Sequence, residues 1–153
     1  MSLFKKKTKS LFSPVKGRLI SLDEVNDNMF RKRMLGDGVA FILKDDKICS
    51  PCDGEIVAIA PSKHAFGIKT NDGKDVMIHM GLDSYKLNGE GFDYKVSKGD
   101  KVFAHQEIVT IDLNMMDKLG IDMVTPMVVT SMNKIKIIQK EDVDIEDEII
   151  QFV

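Results

Sequence analysis

The sequence predicts an all-β domain, an antiparallel β-sandwich or barrel-like fold with short helical turns. Short apolar runs recur along the chain and are separated by Gly, Pro and Asp turns. Strong helical periodicity is scarce, and 153 residues is a natural length for one domain. Short helices are predicted at 26–35 and 113–120. The predicted strands are 15–20, 38–43, 55–60, 65–70, 75–80, 108–112, 127–130 and 148–153.

The first twelve residues differ from the rest, so we divide the chain into a tail, 1–12, and a single domain, 13–153. The tail contains lysines and apolar residues but no acids, which is typical of a flexible terminus. The alternative is a weak contact with an anionic membrane surface. The side chains that would make this contact are Leu3, Phe4, Leu11 and Phe12, beside Lys5, Lys6, Lys7 and Lys9.

Two segments of the predicted domain are similar to each other. SPVKGRLISL (13–22) aligns without gaps with SPCDGEIVAI (50–59), and the two share Ser, Pro, Gly and two apolar positions. A repeated strand–turn unit indicates pseudo-symmetry within a sheet architecture. Cys49 and Cys52 lie at this second segment as C-x-x-C, and two small residues at a strand–turn junction are favoured there over a redox pair.

The charge balance excludes some classes of partner. Lys and Arg number 22 against 24 Asp and Glu, for a formal net charge of −2, so there is no basic excess to neutralise nucleic-acid phosphates. Apolar runs are far shorter than the ~20 residues of a membrane-spanning helix, and no secretory signal is visible. We therefore expect a cytoplasmic protein, or one peripheral at the inner face of the membrane.

A predicted hairpin brings two histidines close together. Its turn, Asn71-Asp72-Gly73, suits the positive φ angles of a tight loop. A two-residue loop at Asp72-Gly73 places His64 and His79 on one face as a diagonal pair, about 7–8 Å apart at the backbone. A loop at Asn71-Asp72 places them directly opposite each other. A three-residue loop would put them on opposite faces unless a bulge intervened.

Paired imidazoles have three possible roles. They could bind a metal, although no third ligand accompanies them in a zinc motif. They could be structural histidines that satisfy backbone groups. They could also transfer a phosphoryl group, one nitrogen attacking phosphorus while the second ring hydrogen-bonds to the phosphoryl oxygens. Ser62 lies two residues before His64, so its hydroxyl would then orient the His64 ring. His105 has no second histidine predicted beside it.

Several motifs together resemble the glucose-type IIA domain of the bacterial sugar phosphotransferase system. The resemblance covers about residues 13–153 and is specific because the segments occur in combination and in order. They are GDGVAF (36–41), SPCDGEIVAI (50–59), KHAFGIKT (63–70), VMIHMGLDS (76–84), LNGEGF (87–92), SKGDKV (97–102) and TPMVVT (125–130).

This resemblance implies a role for each matching residue. His79 would accept phosphate from the phosphorylated histidine carrier protein and pass it to a cysteine of a sugar-specific IIB domain, which works with a IIC permease. His64 would stabilise the phosphoryl group, with its ring oriented by Ser62. The backbone carbonyl of Gly81 would hold the other nitrogen of His79. The phosphate is carried covalently, so no cofactor is implied, and zinc bound by the two histidines would not be required.

The resemblance also implies an apolar docking patch around the histidines, with an acidic rim that includes Asp27. Methionines suit such a surface because they adapt to unlike partners. The chain departs from the family pattern after Asp83, where Ser84 and Tyr85 stand in place of threonine and a small apolar residue. The predicted partner-binding residues are Met29, Phe30, Met34, Leu35, Met77, Asp83 and Tyr85.

Two other functions are consistent with parts of the sequence. A regulatory protein could use the same patch to bind target proteins according to its phosphorylation state. A biotinyl or lipoyl carrier module also uses short β units with KGD-like turns, but the lysine motifs that such modules modify do not occur here.

Overall fold

The structure is a computed structural model that describes residues 6–153, and it confirms the predicted all-β class. Two short α-helices and two 3-10 turns, Leu22–Glu24 and Ser84–Leu87, interrupt the strands. The helices are α1 (Asn28–Arg31) and α2 (Leu113–Lys118). The strands are β1 (Ser10–Phe12), β2 (Gly17–Ser21), β3 (Asp37–Leu43), β4 (Lys47–Cys49), β5 (Gly54–Ile59), β6 (Ala65–Thr70), β7 (Asp75–His79), β8 (Phe92–Tyr94), β9 (Lys101–Val102), β10 (Glu107–Ile111), β11 (Thr125–Val129), β12 (Ile135–Ile137), β13 (Asp142–Val143) and β14 (Glu148–Phe152).

Antiparallel pairing organises these strands into one large and two small sheets. The eight-stranded sheet has the order β13-β2-β3-β11-β7-β6-β5-β9, and the three-stranded sheets have the orders β1-β14-β12 and β4-β10-β8. Strand β11 lies between β3 and β7, and all five of its residues are buried. Strand β7 instead alternates, with Val76 and Ile78 in the core and Met77 and His79 on the other face. This is the arrangement expected of a half-buried strand.

The internal repeat predicted from the sequence is confirmed by the two Ser-Pro turns. Each turn joins two strands, β1 to β2 and β4 to β5, and each serine hydroxyl donates to a carbonyl two residues later, at 2.7 and 2.6 Å. The two turns also bind each other reciprocally. The Phe12 amide donates to the Pro51 carbonyl at 2.9 Å, and the Cys49 amide donates to the Pro14 carbonyl at 2.7 Å. The repeat is therefore a pair of strand–turn–strand units related by approximate two-fold symmetry.

The cysteines beside the second turn are buried and free. Burial raises the pKa of Cys49, and it raises the pKa of Cys52 to about 12. Because the thiolate is the reactive form of cysteine, both side chains are protonated, unreactive thiols at neutral pH. This supports the structural interpretation of the C-x-x-C spacing.

The predicted boundary of the tail at residue 12 is wrong. Residues 10–12 form β1, which pairs with β14, and the Leu11 side chain is completely buried. The Thr8 amide also donates to the Asp72 carboxylate at 3.0 Å. Local composition suggested a free terminus, but pairing with the far end of the chain overrides it. Much of the proposed membrane-contacting segment, including Leu11, therefore belongs to the domain, while Leu3, Phe4 and Lys5 lie outside the described residues.

Replacing Leu11 with alanine is expected to lower the free energy of unfolding by about 2–5 kcal/mol, because the change leaves a cavity in the core. Urea unfolding followed by circular dichroism measures this loss. Leu119→Ala is the matched control, since Leu119 is 56% exposed and surface substitutions usually change stability by less than about 0.5 kcal/mol. Equal effects of the two substitutions would contradict the assignment of Leu11 to the core.

Within residues 6–153, no helix is long and apolar enough to cross a membrane. Both α-helices are shorter than their predicted ranges, and each is capped at its N-terminus by an aspartate. Asp27 accepts a hydrogen bond from the Met29 amide at 2.8 Å, and Asp112 accepts one from the Met115 amide at 3.0 Å. Helix α1 and the turn before it place Phe30 beside the end of β7.

Candidate functional site

The hairpin joining β6 and β7 has a three-residue loop, so the predicted two-residue registers are wrong. Ala65 pairs with His79 and Lys69 with Asp75. The loop closes through a Gly73 amide that donates to the Thr70 carbonyl at 3.0 Å, with Gly73 at a φ of 91°. A turn followed by a glycine in the left-handed region is typical of three-residue hairpin loops.

Side-chain hydrogen bonds around Asp72 stabilise this longer loop. The Thr70 hydroxyl donates to the Asp72 carboxylate at 2.6 Å, and the Lys74 ammonium forms an ion pair with it. Burial opposes ionisation of Asp72, but hydrogen bonds from Lys74, Thr70 and Thr8 lower its pKa to about 2. The carboxylate therefore ties the loop to the chain near β1, which is a long-range contact.

His64 reaches His79 because the backbone is irregular before β6. A turn over residues 60–63 precedes it, closed by the Lys63 amide donating to the Ala60 carbonyl at 2.7 Å. Lys63 adopts a φ of 61°, which is uncommon for a residue with a side chain. His64 follows directly and lies outside the regular strand, so the alternation of the pleat does not determine the direction of its ring. The turn thus takes the place of the bulge that a three-residue loop would otherwise need to bring the two rings to one face.

The two imidazole rings form the centre of the site. Their centroids are 4.9 Å apart and their planes are inclined by 79°. The Phe30 ring packs edge-on against His79 at 5.1 Å, and the Tyr85 ring lies 6.2 Å from His64. Both distances are within the usual range for aromatic pairs. The predicted pairing of His64 and His79 is therefore confirmed.

One hydrogen bond determines the tautomer of His79. Its Nδ1 lies 2.7 Å from the Gly81 carbonyl oxygen, and because a carbonyl can only accept, Nδ1 carries the proton. The lone pair of His79 is therefore on Nε2. This is the Gly81 contact that the resemblance implied.

The position of Gly81 is fixed by the segment that packs against it, residues 122–124. It has a φ of 86°, and a side chain here would lie 2.8 Å from the Met123 sulfur and 3.0 Å from the Asp122 carbonyl oxygen. The Gly81 amide donates to the Val124 carbonyl at 3.2 Å. Both the conformation and the space require glycine, so the carbonyl that binds His79 has a fixed position.

Both histidines are poised to be neutral near pH 7. Burial lowers the pKa of His79, against the opposing effects of the Gly81 carbonyl, Asp27 and Asp83. Burial and the neighbouring His79 lower the pKa of His64. A neutral imidazole has a free lone pair, which protonation would remove. The site therefore favours nucleophilic chemistry at neutral pH.

We expect His79 and His64 to titrate below 6.5, the ordinary imidazole value. The unfolded chain binds protons at these positions more readily than the folded chain does, so stability should fall as the pH falls from about 6.5. Phosphate acceptance by His79 should decline over the same range, because protonation consumes its lone pair. An NMR titration of the ring Cε1 protons measures both values. Midpoints above 6.5 would contradict the burial of these rings.

The predicted role of Ser62 is wrong. Nδ1 of His64 is buried and has no hydrogen-bond partner within residues 6–153, so the Ser62 hydroxyl does not orient the ring through that atom. Ser62 lies in the turn over residues 60–63, where the chain reverses. The two-residue spacing that would place both side chains on one strand face therefore does not apply.

The predicted docking patch is partly exposed. Met29, Met34 and Tyr85 are 47%, 66% and 50% exposed, whereas Leu35 and Met77 are half-buried. Phe30 is only 2% exposed, so its predicted contact with a partner is wrong. Its first-turn position in α1 directs the ring inward, where it supports His79. A hydrophobic residue beside a capped helix start could have indicated burial.

Acidic residues and an apolar groove adjoin the histidines. Asp83 is exposed, Asp27 is half-buried, and both act on the His79 ring through their charge. A groove of about 490 Å³ extends from Met77 along β5 and β6, where its walls include Ala58, Ala65 and Gly67. The patch therefore combines exposed apolar side chains with nearby acidic residues, and it shares Met77 with the apolar groove.

The third histidine lies elsewhere. His105 is in the turn between β9 and β10, where its Nδ1 donates to the Ile145 carbonyl at 2.8 Å and its ring packs against Phe12 at 4.6 Å. Across residues 6–153, no group of three or more His, Cys, Asp or Glu side chains is arranged to hold a metal ion. The paired histidines and the Gly81 carbonyl that binds His79 are therefore the candidate functional site.

Comparisons with known proteins agree with this geometry. A family model described as phosphoenolpyruvate-dependent sugar phosphotransferase system, EIIA 1, matches residues 9–135. The chain is 37% identical over 131 residues to the PTS system glucose-specific EIIA component of Halalkalibacterium halodurans, covering 86% of this chain and 76% of that protein. It is 38% identical over 146 residues to the PTS system glucose-specific EIICBA component of Staphylococcus saprophyticus, covering 94% of this chain.

The chain spans 22% of the length of that EIICBA relative. Among solved structures it is similar to glucose permease IIA from Mycoplasma capricolum, with a TM-score of 0.87, 36% sequence identity and coverage of 98% of both chains. The likeness therefore extends over nearly the whole fold and includes the region of both histidines. The chain belongs to the EIIA 1 family of the phosphoenolpyruvate-dependent sugar phosphotransferase system, whose members are phosphotransferases.

Proposed function

We propose that the protein relays a phosphoryl group during sugar uptake by way of His79. The phosphorylated histidine carrier protein is the donor, and a cysteine of a sugar-specific IIB domain is the acceptor. In the first step the P–N bond of the carrier breaks as Nε2 of His79 bonds to phosphorus. In the second step that new P–N bond breaks as the cysteine thiolate bonds to phosphorus. The observation that carries the proposal is the hydrogen bond from His79 Nδ1 to the Gly81 carbonyl.

This hydrogen bond has two effects on the nucleophile. It leaves the lone pair on Nε2, and it fixes the plane of the ring so that the lone pair has a constant direction. The burial that lowers the pKa of His79 keeps it unprotonated. Direction and protonation state are the two requirements for attack on phosphorus.

His64 stabilises the transferred group in this proposal. Its ring centroid is 4.9 Å from that of His79, and its Nδ1 is buried. The other nitrogen, Nε2, is therefore the one that can donate a hydrogen bond to phosphoryl oxygens bonded to His79. Donors placed where negative charge develops are a major source of catalysis.

The partners we propose fit the docking patch. Met29, Met34 and Tyr85 offer exposed apolar contact, and Asp27 and Asp83 attract a basic partner surface. Because carrier and IIB domain must bind in turn, adaptable methionines suit this surface. The protein would act on the cytoplasmic side of the membrane, beside a IIC permease. Glucose is the first sugar to test, since the relatives compared above are named for it.

A reconstituted transfer assay tests this function. The protein is mixed with phosphorylated carrier and with membranes that contain a glucose-specific EIICBA protein lacking its own IIA portion. Glucose phosphate should form only when the protein is added. If the protein takes up no phosphate while a glucose-specific EIIA relative does so under the same conditions, the proposal is wrong.

A further inference from the structure

The two tyrosines of the chain both contact the segment Lys63–His64. The ring centroid of Tyr85 lies 6.2 Å from that of the His64 imidazole. Tyr94, on β8, makes a different contact: its hydroxyl donates to the backbone carbonyl of Lys63 at 2.7 Å. Because that carbonyl belongs to the peptide unit joining Lys63 to His64, the hydrogen bond acts on the backbone that carries the histidine.

This peptide unit needs restraint, because the Lys63 backbone is in a costly conformation. Its φ of 61° is in the left-handed region, which costs of order 1 kcal/mol or more for a residue other than glycine. Such a conformation persists only where the surroundings hold it. The Lys63 amide donates to the Ala60 carbonyl, and the His64 carbonyl accepts from the Met80 amide, both at 2.7 Å. The Lys63 carbonyl is held by Tyr94 alone among the hydrogen bonds of residues 6–153.

The position of Tyr94 is itself well determined. Its ring packs edge-on against Phe66 at 6.1 Å, and Phe66 is a core residue of β6. Burial raises the pKa of Tyr94 above its ordinary value, so the hydroxyl remains a donor throughout the neutral range. The Lys63 side chain makes a further contact, since its carbon atoms pack against Gly89.

The His64 side chain lacks a comparable restraint. Its buried Nδ1 has no hydrogen-bond partner within the described part of the chain, and the expected contact from Ser62 is absent. The direction of the ring therefore depends on aromatic packing and on the backbone from which it projects. Restraint of the Lys63–His64 peptide by Tyr94 compensates for the missing side-chain hydrogen bond.

We propose that Tyr94 is a positioning residue that fixes the backbone of His64 and so aims its ring at the phosphoryl group on His79. This rests on the proposed relay function. Tyr94 touches neither the substrate nor the reacting atoms, and it acts only through the peptide before His64. Removing its hydroxyl should therefore impair only the step that depends on His64.

The test replaces Tyr94 with phenylalanine, which keeps the ring against Phe66 and removes the hydrogen bond. Asp93→Asn is the matched control, because Asp93 is exposed on the same strand and its side chain forms a surface ion pair with Lys95. Tyr94→Phe should still be phosphorylated by the carrier but should pass phosphate to the IIB domain about three- to tenfold more slowly, as expected for one lost hydrogen bond. Asp93→Asn should match the parent protein.

A double substitution separates positioning from a general structural effect. In a His64→Gln background, Tyr94→Phe should cause no further slowing, since there is no imidazole left to aim. An equal slowing in both backgrounds, or no slowing in either, would overturn the proposal. A fall in melting temperature without a change in transfer would also overturn it.

An NMR measurement tests the same idea without any partner. In the unphosphorylated protein, Tyr94→Phe should shift the ring resonances and the titration midpoint of His64 while leaving the ring resonances of His105 in place. If the parent protein accepts no phosphate, the relay function is wrong, and this measurement still decides whether Tyr94 orients His64. Unchanged His64 signals would overturn the positioning role even if the relay function holds.

Discussion

Replacing His79 with glutamine is expected to reduce phosphate acceptance from the carrier to background. The imidazole Nε2 is the attacking atom, and an amide nitrogen has no available lone pair to bond to phosphorus. His64 should not substitute for it, because in the proposed relay its Nε2 carries the ring proton as a hydrogen-bond donor and its Nδ1 is buried. Incubation with labelled phosphorylated carrier, followed by quantification of acid-labile phosphate on the protein, measures the effect.

The control for this substitution is His105→Gln. His105 is the third histidine of the chain and contacts Phe12 and Ile145 instead of the site. The His105→Gln variant should therefore accept phosphate at the rate of the parent protein. Labelling that survives in His79→Gln and disappears in His105→Gln would show that the phosphoacceptor has been misassigned.

Replacing His64 with glutamine is expected to separate the two transfer steps. His79 retains its hydrogen bond to Gly81, so it should still be phosphorylated. Onward transfer to the IIB cysteine should slow by about 10²–10³-fold, the cost of losing one well-placed donor to developing negative charge. Rapid-quench measurement of phosphate loss from preloaded protein gives this rate.

The opposite pattern would contradict the assigned roles. If His64→Gln is not phosphorylated but transfers normally once loaded chemically, His64 acts in acceptance and not in onward transfer. Melting temperature serves as the control for folding, since an unchanged value shows that the loss of the His64 ring has not disturbed the domain.

The main strands could be predicted because their residues are patterned locally. Strand β11 is apolar throughout and central, and β7 alternates between core and surface as a half-buried strand must. Strands β9 and β13 have only two residues each, too few to show a period. Strand β1 was missed because its buried Leu11 follows a lysine-rich segment, and its pairing partner β14 lies at the other end of the chain.

The hairpin register shows the limit of local reasoning about turns. Asn71-Asp72-Gly73 is compatible with loops of two or three residues, and the sequence of the turn alone does not distinguish them. The longer loop is favoured by the Asp72 carboxylate, which binds Thr70, Lys74 and the distant amide of Thr8. The Thr8 contact depends on the position of β1, which requires the tertiary fold.

The pairing of the two histidines was predicted correctly, but the geometry that produces it was not. Regular strand alternation in the observed register would separate them, and the turn ending at Lys63 restores their contact. The same turn displaces Ser62 from its predicted role. A positive φ at a lysine is not visible in a sequence, because lysine rarely adopts it.

The most direct test of the account is to locate the phosphate on the protein after incubation with phosphorylated carrier. Selective ¹⁵N labelling of histidine and ³¹P NMR identify both the residue and the ring nitrogen. We predict a phosphoryl group on Nε2 of His79, with Nδ1 still protonated against the Gly81 carbonyl. Phosphate on His64, on His105 or on Nδ1 of His79 would contradict it.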